Sequence, residues 1–359
     1  MSKHRRILLC NFSAGWGGGE LWFFFGGKSL KDRGFTVKWW VKKGSVLEER
    51  LKSEQLPYLT SSGRASEMFN PFSVSKNLKA IKAFSPDIML LNASHELKLA
   101  GLLGKMAGVP HIIFRRGLSF SLKNNFLNQW YMRSVVTASL TNSKRTEAAL
   151  CEVFPQLRQK PQAIIYNGID LRNPPPAPNP EPGLILMSAR LSPEKGIDRA
   201  LRCMALLKAN GINATLRILG RGPQGPELKA LASELGVQNM VEFAGFVAHV
   251  PDELSRASLF LFTPVRGEGT SFALLEAMAA GLPCLAFESP SLDEVIVDGK
   301  TGYLLPPGDE AGMAEAIGRL LNDEDLRKQL GENSRKRAFE HFSLERLLNE
   351  LLSFFNTLD

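Results

Sequence analysis

Long apolar runs are missing from this 359-residue sequence. No stretch approaches the roughly 18 consecutive apolar residues of a membrane-crossing helix, so the chain reads as water-soluble. Its first six residues include Lys3, His4, Arg5 and Arg6, like the basic head of a secretion signal, but the apolar run that follows, residues 7–10, stops at Asn11. That run is too short for a signal and reads as the first strand of a cytoplasmic protein. Cysteine is scarce: Cys10, Cys151, Cys203 and Cys284 lie far apart with no CxxC pair. The spacing excludes a zinc knuckle and a disulfide framework, and leaves buried free thiols in a reducing compartment.

What is present is a globular composition, 44% hydrophobic and 22% charged, with an uneven charge distribution. Residues 1–183 carry 26 Lys and Arg against 12 Asp and Glu, whereas residues 184–359 carry 18 against 24. A basic half suits a nucleic acid, an anionic membrane or an anionic acceptor, and charge alone does not choose among them. The change of sign coincides with residues 173–183, which hold six prolines in eleven positions and favour an extended, semi-rigid connector. The expected organisation is therefore a first domain over 1–172, a linker over 173–183, a second domain over 184–342 and a terminal helix over 343–359. Leu344, Leu347, Leu348, Leu351, Leu352 and Phe355 give that helix an apolar stripe for packing, plausibly against the first domain.

Apolar runs at 7–12, 36–41, 88–91, 111–114, 138–141 and 163–166 in the first half alternate with helical patterns. Runs at 184–189, 215–219, 241–243, 259–262 and 284–287 do the same in the second. This order predicts two doubly wound α/β domains with parallel sheets, whose ligands bind beyond the carboxyl ends of the strands.

The densest cluster of chemistry is Thr263-Pro-Val-Arg-Gly-Glu268-Gly269-Thr270-Ser271-Phe272-Ala-Leu-Leu-Glu276, which runs on to Gly281 and Pro283. It leaves a strand, turns through glycines and enters a short helix with Ser271 as its expected N-cap. The unpaired N–H groups of that helix would face an anion, and a carboxylate at Glu276 could accept two hydrogen bonds from the vicinal diol of a ribose. Two unrelated solvated glutamates would explain the same spacing. In Arg190-Leu-Ser-Pro-Glu194-Lys195-Gly196, Lys195 stands just before a helix start, where a cation opposes the helix dipole unless an anion is bound. Arg190 and Lys195 together could neutralise a diphosphate leaving group. An ion pair between Lys195 and Glu194 accounts for the lysine equally well.

These segments occur in a fixed order with Leu219-Gly220-Arg-Gly222-Pro, Val241-Glu-Phe-Ala-Gly245-Phe246 and Gly299-x2-Gly302-Tyr-Leu. The set resembles the retaining glycosyltransferase family 4, of the GT-B fold: two Rossmann-like doubly wound domains facing a central cleft. The resemblance implies a donor site in the second domain, with Glu276 on the ribose and Arg190 and Lys195 on the diphosphate. It puts Glu268 and the amides near Gly269, Thr270, Ser271 and Phe272 on the sugar, Phe246 near the base and Gly220 in the adjoining loop. It also implies retention of anomeric configuration by front-face attack, without an enzymic nucleophile. In the first domain Gly17 and Gly18 resemble the family's glycine-rich loop, and His95 is the nearest candidate for a histidine beside the sugar. Arg115 and Arg116 stand where many members have a histidine and a glycine, which puts them on the acceptor side.

Two other signals are explained more simply. Gly220-Arg-Gly222-Pro-Gln-Gly225 matches a dinucleotide fingerprint, but its prolines restrict the loop and it does not open a sheet. Asp323-Glu-Asp325 has the form of a metal-holding triplet, yet an N-cap with acids in the first helical turn accounts for it, so no metal is expected. Aromatics interleaved with bases at 38–43 and 120–133 suit an interface with anionic lipid or stacking on single-stranded nucleic acid, and equally a buried aromatic core with a solvated rim of lysines; no nucleic-acid motif is present. The expectation is transfer of a sugar from a UDP-, ADP- or GDP-sugar, with no other cofactor. The acceptor is a glycolipid, lipopolysaccharide or polysaccharide precursor, reached by a protein peripheral on the inner face of the cell membrane. The rivals are a nucleotide-sugar epimerase or phosphorylase of the same fold, and a non-catalytic protein that binds anionic lipid or polymer.

Overall fold

The computed structural model describes residues 5–117, 122–172, 174–176, 178–265 and 270–358. The chain divides into two compact units, residues 1–166 with 347–359 and residues 167–346.

In the first unit seven strands form one parallel sheet: β1 (Arg6–Asn11), β2 (Thr36–Lys42), β3 (Tyr58–Ser61), β4 (Ile88–Leu91), β5 (His111–Arg116), β6 (Ala138–Thr141) and β7 (Gln162–Ile164). Their order is β3-β2-β1-β4-β5-β6-β7, and every pairing is parallel. Residues 7–10 and 88–91 are fully buried because both faces of the sheet are covered, which is why they read as unbroken apolar runs rather than alternating ones. On one face Leu8, Met89, Leu91, Ile112 and Phe114 meet Ile81, Leu103, Met132 and Leu150 from the helices Pro71–Phe84, Leu102–Ala107, Phe126–Ser134 and Lys144–Val153. Asn70, Asn125 and Ser143 cap the N-termini of three of these through their side chains, which satisfies otherwise orphaned N–H groups.

The opposite face receives the helix Gly18–Asp32. Gly27 lets it approach: a Cβ there would lie 2.3 Å from Trp39 and 2.6 Å from Leu9. Trp39 cannot retreat cheaply, since its Nε1 donates to the Phe23 carbonyl at 2.8 Å. Gly27→Ala is therefore expected to destabilise this unit by about 1–3 kcal/mol through overpacking, read as a lower urea midpoint at an unchanged slope.

The second unit holds β8 (Leu184–Ser188), β9 (Thr215–Leu219), β10 (Val241–Gly245), β11 (Leu259–Phe262), β12 (Cys284–Phe287) and β13 (Gly302–Leu305). These run parallel in the order β10-β9-β8-β11-β12-β13. Ile185, Leu216, Leu261 and Leu285 pack against Leu201, Met204 and Ile317 in a continuous core. The helices Phe272–Ala279 and Glu324–His341 touch backbone to backbone, because a Cβ on Gly331 would lie 2.2 Å from the Gly281 carbonyl oxygen. Arg335 Nη1 donates to the Ala279 carbonyl at 2.8 Å, closing the end of the shorter helix. Asp323 is the N-cap of the longer one, accepting from the Leu326 amide at 2.9 Å.

The terminal helix Leu344–Asn356 buries Leu347, Leu348, Leu351, Phe354 and Phe355. From residue 347 onward it belongs to the first unit: Arg5 donates to the Phe355 carbonyl, and Arg33 Nη1 donates to Asn349 Oδ1 at 2.7 Å. Just before it, Ile169 and residues 342–344 exchange backbone hydrogen bonds of 2.9 and 2.8 Å. All four cysteines are buried and free.

Candidate functional site

In each sheet the strand order reverses once, between β1 and β4 and between β8 and β11. The loops that leave those strands diverge to opposite faces and open a crevice at the carboxyl edge, where ligands of such sheets bind. Of the residues singled out in the sequence, Arg190 and Lys195 follow β8, Thr270 to Glu276 follow β11, Gly220 and Phe246 follow the neighbouring β9 and β10, Gly17 and Gly18 follow β1, and His95 follows β4.

In the second unit the loops after β8, β9 and β11 are laced together by backbone. The Ala189 amide donates to the Leu219 carbonyl at 2.9 Å, the Leu191 amide to Arg221 at 3.1 Å, and the Val265 amide to Glu194 at 3.0 Å. Glycine makes these approaches possible. Gly196 has φ +60° and a Cβ there would lie 2.1 Å from the Thr263 carbonyl oxygen, while one on Gly220, φ +138°, would lie 2.0 Å from that of Ala189. Thr263 Oγ1 donates to the carbonyls of Lys195 and Gly196 at 3.2 and 2.9 Å, which fixes the backbone that carries Lys195.

Arg190 reaches out of this platform, 68% exposed, and its guanidinium pairs with Glu194. Ser192 Oγ donates to the same carboxylate at 2.7 Å. Burial pushes the Glu194 carboxyl up, but the hydrogen bonds from Ser192 and Arg190 outweigh it and hold it at about 2. Glu194 is thus an ionised placeholder beside the guanidinium. Lys195 is half-buried at the end of the short helical turn Pro193–Lys195.

The helix Phe272–Ala279 begins at Ser271, whose backbone is extended as an N-cap requires, but whose side chain makes no cap hydrogen bond. The expected hydroxyl cap from Ser271 is therefore absent, at a helix start of the kind whose first-turn N–H groups can take an anion. Thr270 is buried, and its carbonyl accepts from Asn167 Nδ2 at 2.5 Å. Glu276 is the fifth residue of the helix and half-buried. Burial pushes its carboxyl up to about 7. Phe246, just past β10, is 68% exposed. Glu268 and Gly269 lie outside the described residues.

In the first unit, Gly17 is the extended N-cap of the Gly18–Asp32 helix. Two residues on, a Cβ at Gly19 would lie 2.8 Å from Asn92 Nδ2. His95 is half-exposed, and its Nε2 lies 3.0 Å from Glu96 Oε1. Hydrogen bonding to Glu96, opposed by burial, raises the imidazole above its ordinary value. Glu96 itself is fully buried and accepts from the Phe12 amide at 2.6 Å.

Arg115 and Arg116 end β5 and are both buried, 4% and 8% exposed. Arg115 stacks on Trp22 at 4.4 Å and donates to Asn92 Oδ1 at 3.1 Å. Burial brings its guanidinium down to about 9, with the charge of Glu20 opposing the fall; burial lowers Arg116 as well. Sequence reasoning gave no role to Asn11, Glu20, Asn92 and Glu96. Asn11 Nδ2 donates to Glu20 Oε1 at 3.1 Å, and Glu20 and Asn92 in turn act on Arg115, so Asn11, Glu20, Asn92 and Arg115 form one polar group at the mouth of the sheet, with Glu96 held beside it by the Phe12 amide and His95. The available signal was position: Asn11 ends β1 and Asn92 follows β4, at the carboxyl ends flanking the reversal.

The chain matches two family models: Glycosyltransferase Family 4 over residues 16–173 and Glycosyl transferases group 1 over residues 171–337. An exopolysaccharide phosphotransferase of Streptomyces coelicolor is 39% identical over 153 residues, 42% of this chain and 16% of that protein. An uncharacterised glycosyltransferase of Methanocaldococcus jannaschii is 26% identical over 338 residues, 89% of this chain and 88% of that protein. The chain spans under half the length of several curated relatives it matches. The crystal structure of Anabaena HepE in complex with UDP has the same fold, with a TM-score of 0.85 over 98% of this chain and 100% of that one at 20% identity. The two family models together span residues 16–337, and the chain belongs to the family 4, group 1 glycosyltransferases with the GT-B fold.

Proposed function

We propose that this chain is a retaining glycosyltransferase. It moves a sugar from a nucleotide-diphosphate sugar to a glycolipid, lipopolysaccharide or polysaccharide precursor, working as a peripheral protein at the cytoplasmic face of the membrane. The observation that carries this reading is the grouping of Glu276, a helix start that the Ser271 hydroxyl does not cap, Arg190 and Lys195 on the elements that flank the β8/β11 reversal. A diphosphate would take the helix N–H groups together with the two cations, and the ribose diol would donate to Glu276. Phe246 would meet the base, with Gly220 in the supporting loop, and Glu268 with residues 269–272 would hold the sugar. UDP is favoured as the nucleotide because HepE, of the same fold, binds it.

The first unit's proposed contributors are Gly17 and Gly18, as the family's glycine-rich loop, and His95, as its candidate sugar-side histidine. Arg115 and Arg116 order the acceptor side through the polar group around them. In the transfer, the bond from the anomeric carbon to the diphosphate oxygen breaks, and the acceptor hydroxyl bonds to the same face of that carbon. Its proton passes to the departing phosphate oxygen. Arg190 and Lys195 take the charge that develops there.

A thermal-shift series with UDP, ADP, GDP and their sugar conjugates tests the reading. A ligand present at about 100 times its Kd stabilises the folded state by about 2.7 kcal/mol, a shift of several degrees. No shift with any nucleotide would sink the proposal.

A further inference from the structure

Three phenylalanines of the first unit are almost wholly in water: Phe69 at 89%, Phe72 at 87% and Phe126 at 85% exposure. Met106, Leu127 and Trp130 add half-exposed apolar surface at 50%, 48% and 39%. All of them lie on or directly before the three helices Pro71–Phe84, Leu102–Ala107 and Phe126–Ser134. These helices form one layer, since their inner faces share one buried core through Ile81, Leu103 and Met132. The last two are also joined at the surface: Lys105 Nζ donates to the Ser134 carbonyl at 2.6 Å and lies 5.9 Å from the Trp130 ring.

The outward face of that layer carries Lys76, Lys79, Lys82, Lys105 and Arg133, all exposed. The three helices contain no Asp or Glu at all. Phe72, Lys76 and Lys79 follow at helical spacing on one exposed face, as do Phe126, Trp130 and Arg133 on the other. The nearest acid before them, Glu67, is engaged by Ser73 and Asn77 at 3.2 and 3.4 Å, and apolar rings among such an excess of cations suit a surface with anionic headgroups over an apolar interior. They do not suit a second copy of this chain, because two such faces would repel. The three helices follow β3, β4 and β5 in the chain and lead back towards the next parallel strand, so their N-terminal residues Phe72 and Phe126 belong to the carboxyl side of the sheet, the side on which His95 and Arg115 also lie.

We propose that the outer face of these three helices seats the protein on an anionic lipid bilayer, with Phe72 and Phe126 inserted between headgroups and the lysines bound to them. The inference deepens the membrane-face reading above and rests on it. The test is co-flotation of the full chain with vesicles of phosphatidylglycerol and phosphatidylcholine, and with phosphatidylcholine alone. The chain is expected to float with the mixed vesicles only, and less so as salt rises. Phe72→Glu with Phe126→Glu should abolish flotation. Lys76→Gln with Lys79→Gln should weaken it about fivefold for each charge removed. All four positions are exposed, so melting temperatures should stay at the wild-type value, and so should the shift produced by UDP.

Equal flotation with phosphatidylcholine alone, no flotation with the mixed vesicles, or full flotation of the Phe72→Glu/Phe126→Glu variant would each overturn the seat. So would a concentration-dependent dimer in solution that the phenylalanine pair dissolves. Failure of the transferase reading looks different: no nucleotide would shift the melting temperature of a wild-type chain that still floats.

Discussion

Glu276→Ala is expected to weaken nucleotide binding by about two to four powers of ten and to raise KM for the donor accordingly. Hydrogen bonds to a charged group contribute about 1.5–3 kcal/mol each, and a vicinal diol makes two. The ribose is remote from the bond that breaks, so kcat should change less than KM, the pattern of lost uniform binding. Equilibrium titration with UDP and steady-state kinetics read the two effects separately, and a variant with wild-type affinity would remove the ribose from Glu276.

The same carboxyl makes a second, independent expectation. Burial raises it from the ordinary 4.5 to about 7 in the folded chain. Between those values the unfolded chain has lost the proton that the folded chain still holds, so stability falls as pH rises through this window and the cost is complete above 7. Glu276→Gln, which has no charge to desolvate, should therefore gain melting temperature relative to wild type at pH 8 and not at pH 4. Ribose hydroxyls donate to the ionised form, so UDP binding should release a proton near pH 6 and strengthen up to about pH 7. Calorimetry in two buffers of different ionisation enthalpy measures that proton. Uptake or no exchange would contradict the assignment.

Lys195→Met is expected to lower kcat by about 10²–10³, the usual cost of deleting one group that stabilises developing charge, about 2.7–4 kcal/mol. The backbone at 195 is held by Thr263 Oγ1 and by the tight passage at Gly196, so a melting temperature taken beside kcat separates a lost charge from a lost fold. Nucleotide affinity should fall much less than kcat, because the charge on the leaving diphosphate is largest in the transition state. Gly196→Ala makes the contrast: at φ +60° with 2.1 Å to the Thr263 carbonyl oxygen, it should lose stability as well as transfer. If Lys195→Met and Gly196→Ala behave alike, the lysine is structural.

The second unit is legible in sequence for a physical reason. Its central strands Leu184–Ser188, Leu259–Phe262 and Cys284–Phe287 are buried and stand out as apolar runs, and its loops need glycine at left-handed or crowded positions such as Gly196 and Gly220. Edge strands carry less of this signal. Tyr58–Ser61 is mostly half-buried and Gly302–Leu305 opens on a glycine, so the sheets extend one strand further than the apolar runs indicate. The first-unit site is harder to read because Asn11, Glu20, Asn92 and Arg115 are neighbours only through the strand order β1-β4-β5. Nothing local marks them as partners. Arg115 and Arg116 look like surface cations and are buried, because the helix Gly18–Asp32 delivers Trp22 and Glu20 to cover the first of them. Ser271 has the residue type and backbone of a cap, but its hydroxyl is not used as one.

The buried thiols have a practical consequence. Alkylating reagents attack the thiolate. Burial together with the charge of Glu96 raises Cys10 well above its ordinary value, and burial brings Cys203 and Cys284 to about 12. With all four sulfurs enclosed, the folded chain is a silent background for maleimide chemistry. A single cysteine introduced at an exposed position such as Phe72 or Phe246 would carry a fluorophore at a known place without removing any native residue from the core. The native thiols would react only as the units open, so one reagent would report local surroundings in the folded protein and count unfolding events when it fails.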